Sequence, residues 1–110
     1  MKVVLVEPGK QATVQTIGSS LEAMQSVVGG NIQAIYPFDD EAALVCNEEG
    51  KLMGMPLNRV LVDKDTNTVI DGIVGTFFVC GLGEEDFTDL TDEQAKEYCD
   101  LFCISEAVFI

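Results

Sequence analysis

Histidine and tryptophan are both absent from these 110 residues, and arginine occurs once, at Arg59. Without histidine there is no imidazole to activate a serine, threonine or cysteine nucleophile, and none to ligate zinc. Without tryptophan, and with only two tyrosines, the chain is poor in the aromatic walls of a sugar-binding cleft. Basic residues are scarce as well: six Lys and Arg stand against nineteen Asp and Glu, a net charge of −13. No basic stripe can neutralise phosphates, which excludes direct nucleic-acid binding and disfavours anionic membrane surfaces. No apolar run approaches the roughly 20 residues needed to span a bilayer. The opening MKVVLVEPGK has a short apolar run and then Glu7-Pro8-Gly9. That is a strand and a turn, not a signal peptide, and a cytoplasmic location is expected.

What is present describes a folded domain. Hydrophobic residues make up 47% of the chain and the mean hydropathy is +0.23, which excludes disorder. A chain this long forms one domain, residues 1–110, and buries roughly two-thirds of its unfolded surface. Cys46 and Cys80 lie in apolar, strand-like runs, and Cys99 and Cys103 are one helical turn apart. In a reducing compartment they act as small hydrophobes, and a lone CxxxC is a weak zinc signal. No cofactor is expected.

Pro8-Gly9 suits the centre of a type II turn between strands KVVLVE and QATVQTI. Ser19 and Glu22 have capping-box spacing before a helix carrying Leu21, Met24, Val27 and Val28, and Gly29-Gly30 should end it in a left-handed cap. NIQAIY and EAALVC read as strands, with Pro37-Phe38-Asp39-Asp40 as a turn. Asn47-Glu48-Glu49-Gly50 has the chemistry of a tight hairpin loop, with Gly50 at positive φ. LNRVLV is extended. Asp63 to Asn67 is a turn. Val69-Ile70 and Ile73 to Cys80 read as two strands interrupted at Asp71-Gly72, and Gly81-Leu82-Gly83 ends the pattern. Thr91 and Gln94 form a capping box for a second helix, with Ala95, Tyr98, Cys99 and Phe102 on its inner stripe. Ala107 to Ile110 should dock as a strand. The class is α+β: a mainly antiparallel sheet, two helices, and a hairpin-helix start resembling a β-grasp.

Asp63-Lys64-Asp65-Thr66-Asn67 begins like a calcium loop, but Thr68 and Val74 stand where the glycine and the bidentate glutamate belong. Gly81-Leu82-Gly83-Glu84-Glu85-Asp86 puts three carboxylates where a pyrophosphate would sit, and is no dinucleotide site. Glu84 to Glu106 holds nine acids and one base, Lys96. NEEGKLMGMPLNR, residues 47–59, has two readings. It is a turn whose Arg59 pairs with a carboxylate, or a partner-facing loop with Met53, Met55 and Leu57 as adaptable contacts and Arg59 as a planar anchor.

The chain resembles a family of small acidic proteins catalogued as domain of unknown function 3846. The resemblance lies in Val6-Glu7-Pro8-Gly9, Leu21 to Gly30, Ile35-Tyr36-Pro37-Phe38, Asn47 to Leu52, Pro56-Leu57-Asn58-Arg59, Asp71, Gly75-Thr76-Phe77 and Gly81. It implies a setting in phages, plasmids and conjugative elements of Firmicutes, and no catalytic residues. With the charge, it implies a non-enzymatic, protein-binding accessory protein, anti-defence or regulatory, with a basic partner protein. The candidate contact residues are Glu84, Glu85, Asp86, Asp89, Glu93, Glu97 and Asp100, with Asn58 and Arg59. The alternative is a metal- or small-ligand-binding domain built on the carboxylate-rich turns DKDTN and GEED.

Overall fold

The computed structural model describes residues 1–103 and 105–110. In chain order the elements are β1 (Lys2–Val6), β2 (Thr13–Thr16), α1 (Leu21–Val28), β3 (Ile32–Ile35), β4 (Ala42–Asn47) and β5 (Leu57–Val62). They continue with β6 (Val69–Val74), β7 (Phe77–Leu82), β8 (Phe87–Thr88), α2 (Asp92–Leu101) and β9 (Ala107–Phe109). β2, β1, β7, β4 and β3 form one antiparallel sheet in that order, with β8 added on β7. A second sheet runs β6-β5-β9, in which β9 lies parallel to β5. The fold is therefore α+β and mainly antiparallel. Its likeness to a β-grasp rests on the opening element order alone.

The central sheet is covered on both faces, which explains why β1, β4 and β7 are apolar at successive positions instead of alternating. Val3, Ala43, Val45, Phe78 and Cys80 face α1 through Met24 and Val28. Val4, Val6, Leu44, Phe77 and Val79 face the other way, toward α2 and the second sheet through Phe102, Leu61 and Val108. Phe77 and Phe102 meet edge to face at 5.3 Å. The Pro8-Gly9 turn forms as expected: Gly9 has φ +72° and the Lys10 amide donates to the Glu7 carbonyl at 3.1 Å.

Four local expectations are corrected. The cap of α1 is Ser20, not Ser19: its hydroxyl accepts from the Ala23 amide at 3.1 Å, and the Ala23 methyl cannot return the bond as Glu22 was expected to. Asp71-Gly72 does not interrupt a strand. It pairs with Leu61 and Val60 inside β6, and the break falls at Gly75, with φ +71°. A side chain at Gly75 would meet the Met55 sulfur at 2.6 Å. β7 runs on through Gly81 and Leu82. Finally, NEEG is no hairpin loop, because β4 and β5 belong to different sheets. Asn47 does fold back, accepting from the Glu49 amide at 2.8 Å, while its side-chain amide donates to the Val28 carbonyl at the end of α1. The positive φ falls on Gly54, not Gly50.

Candidate functional site

Arg59 and Asn58 are both wholly buried, so neither is a partner-facing residue, and Arg59 pairs with no carboxylate among the described residues. Both readings of Arg59 from the sequence are thus corrected. The cause is a bulge. Leu57 pairs with Val74 and Arg59 with Ile73, leaving Asn58 as the extra residue, so two neighbours turn inward where simple alternation would expose one. The Arg59 guanidinium donates to the carbonyls of Lys10 (2.7 Å), Phe102 (3.1 Å) and Cys103, and to the Asn58 side-chain oxygen (2.9 Å). The Asn58 amide donates to the carbonyls of Val6 (2.9 Å) and Gly75 (2.8 Å). The pair joins the second sheet to β1, to the β6–β7 turn and to the C-terminal end of α2, where a cation complements the free carbonyls. Burial pulls the guanidinium pKa down from its usual value, and Cys103 and Glu106 partly oppose that.

The acidic segment is divided by the fold. Asp89 accepts from the Lys2 backbone amide at 2.7 Å, and Asp92 pairs with the Lys2 ammonium. Asp100 pairs with Lys96 at 3.2 Å. Glu84, Glu85, Asp86, Glu93 and Glu97 are exposed. The flanks of the 84–86 loop, Leu82 and Phe87, pack on the α1 side of the sheet, whereas α2 packs on the other side. The capping box of α2 forms as expected, and its inner stripe is buried at Ala95, Tyr98 and Phe102.

A cleft of about 560 Å³ opens beside α2. Its floor is apolar: Phe38, Leu101, Phe109, Ile110 and the ring of Tyr98. The rings of Phe38 and Tyr98 lie 4.7 Å apart and fix that floor. Its rim carries Asp39 and Asp40 from the β3–β4 turn, Asp63 and Asp65 from the β5–β6 turn, and Glu97 from α2. Lys64 is the cation among the described lining residues. The Tyr98 hydroxyl donates to Asp40 at 2.6 Å, and the Gln94 amide donates to the same oxygen at 3.1 Å. The Tyr98 bond holds the Asp40 carboxyl below its usual range, against some desolvation, and burial pushes the Tyr98 phenol well above its own. Asp40 therefore stays ionised and Tyr98 stays a donor.

Of the candidate contact residues named from the sequence, Glu97 alone lines this cleft, joined by Asp63, Lys64 and Asp65 of the DKDTN turn that the metal- or small-ligand alternative named. Asp39 and Asp40 were legible only as a polar turn, and Asp63 and Asp65 as a carboxylate-rich turn by itself, 24 residues apart between Asp39 and Asp63. No local pattern says that these turns meet. Asp63 also has a turn role, accepting from the amides of Asp65 (2.8 Å) and Thr66 (3.3 Å). Among the described residues no three acids or thiols are grouped to hold a metal ion. All four cysteines are unbridged. Cys46 and Cys80 are buried, and burial lifts the Cys80 thiol to about 12. The 47–59 loop packs Met55 against Gly75 but leaves Leu52 90% exposed at its tip. No helix among the described residues is long and apolar enough to cross a membrane.

Two sheets and two helices make a small α+β domain, with a cleft whose apolar floor is rimmed by carboxylates. The chain belongs to the family described as Domain of unknown function (DUF3846), whose model matches residues 1–103. The matched span includes Asn58 and Arg59 and ends before β9, which supplies Phe109 to the cleft. No curated protein and no solved structure matches the chain.

Proposed function

We propose that this protein is a non-enzymatic, protein-binding accessory domain with a basic partner, and that it serves a mobile element in an anti-defence or regulatory role within the cytoplasm. One observation carries the reading. None of the nineteen acidic residues is buried, while the only arginine is. Four of the five lysines are held in ion pairs, Lys2 with Asp92, Lys10 with Glu7, Lys51 with Asp71 and Lys96 with Asp100. With the arginine inside, the surface is more negative than the composition by that one charge, and the pairing leaves no more than one lysine free to offset the remaining carboxylates. Such a field steers a cationic protein and repels nucleic acid. The mobile-element setting rests on the family resemblance.

The test is affinity capture from the native host at low and high salt, with wild type and a Glu93→Gln/Glu97→Gln variant. A basic partner should be held at low salt, released at high salt, and held less by the variant, because salt screens beyond about 8 Å at physiological strength. Capture that ignores salt would refute the reading. The alternative, a small-ligand or metal domain on carboxylate-rich turns, has one observation in its favour: PFDD and DKD open on one cleft.

A further inference from the structure

We infer that the cleft beside α2 is the seat of a short basic segment of the partner protein, an apolar side chain lying on the Phe38–Tyr98 floor with Lys or Arg on either side of it. This rests on the reading above that the partner is a basic protein, and goes beyond it by naming the place and the anchor.

Three features converge. First, the cleft, about 560 Å³ and open to solvent along one side, has room for one large side chain and its flanking residues. Its floor is held by ring packing of Phe38 against both Tyr98 and Phe102, so it is formed before anything binds. Second, Phe109 stands 52% exposed at the lip of that floor. Its strand, β9, is the edge of the second sheet and among the described residues pairs only with β5. Third, the charges around the floor fit one sign of occupant. Asp39, Asp65 and Glu97 form no ion pair among the described residues, and Asp40 is kept ionised by its neighbours. A neutral apolar segment would bring these carboxylates into a drier setting without relief. A flanking Lys or Arg would relieve their repulsion as the apolar side chain covers the floor. A free polyamine offers the charge but leaves the floor uncovered, and a DNA or RNA phosphate has the wrong sign.

The probe is a short synthetic peptide with one central Trp flanked by Lys and Arg, titrated at low salt by anisotropy and by backbone amide shifts. Three controls accompany it: the same peptide with Ser for Trp, one with Glu for Lys and Arg, and spermine. The Trp-basic peptide should bind and move amides of residues 37–40, 63–65, 97–101 and 109. Losing the buried ring should weaken binding about tenfold or more. Asp39→Asn/Asp65→Asn and Phe109→Ser should each weaken it, and Glu84→Gln/Glu85→Gln should not. Equal binding of the Ser peptide or spermine, or shifts centred on residues 84–89, would overturn the cleft assignment while leaving a basic partner in place. If none of the cationic probes bound at low salt, the basic-partner reading itself would fall and the cleft assignment with it.

Discussion

The Asn58–Arg59 pair and the cleft floored by Tyr98 both abut the C-terminal half of α2, yet they dispose of charge in opposite ways. At Arg59 a cation is buried among carbonyls, with no carboxylate partner among the described residues. In the cleft, five carboxylates stand at the surface with one lysine near them. A chain with nineteen acids and one arginine could have paired that arginine many times over. Instead the fold uses it where geometry matters, as a planar fork that reaches several carbonyls at once, and leaves the acids to the lysines and to solvent. The first region holds the fold together, and the second is available to something outside it.

The largest way to break that contrast is Arg59→Met. If the guanidinium is structural, the carbonyls of Lys10, Phe102 and Cys103 lose their donor, and urea unfolding should show a loss of about 3 kcal/mol or more. Arg59→Lys should recover little, since an ammonium cannot span the same acceptors. A Met variant as stable as wild type would mean that apolar packing suffices there.

Asn58→Ala sharpens the same side. It removes both amide bonds to Val6 and Gly75 and the acceptor for Arg59, and should cost about 2 kcal/mol in the same assay. The two losses should not add, because the residues share one network.

On the cleft side, Tyr98→Phe should cost about 1 kcal/mol at neutral pH, through its bond to Asp40. The Asp40 pKa is lowered in the fold, so this stabilisation is present above the unfolded value of about 3.9 and is lost as pH falls through the lower folded value. Melts of wild type and variant should therefore differ steadily from neutral pH down to about 5 and converge below about 4. A gap that persists in acid would assign the cost to packing.

The smallest effect belongs to the outer face of α2. Glu93→Gln/Glu97→Gln should leave stability within about 0.5 kcal/mol of wild type, or raise it slightly at low salt through reduced self-repulsion. Adding Asp100→Asn should remove the i,i+4 pair with Lys96 and offset that gain. A large loss of stability would show that these carboxylates are structural, and the contrast between the two regions would fail.

Much of the architecture was legible because its signals are local. The Pro8-Gly9 turn, the Gly29 cap and the Thr91–Gln94 capping box each depend on residues within a few positions. The doubly covered strands showed as unbroken apolar runs, and the apolar end did dock as a strand. Errors fell where a neighbour from far away decided the outcome. Asp71-Gly72 stayed in β6 because β5 pairs with it and Lys51 binds Asp71 at 2.8 Å. The NEEG segment resembled a hairpin loop until the strands on either side went to separate sheets.

The sequence by itself determined the class, the two helices and their caps, the acidic excess and the family, since periodicity, turn chemistry and charge count are properties of the chain. Only the tertiary structure decided that Arg59 is inside and that PFDD, DKD and Glu97 share a cleft. A β-bulge reverses the facing of a side chain without altering composition, and a cleft forms from segments whose separation along the chain carries no trace of their meeting in space.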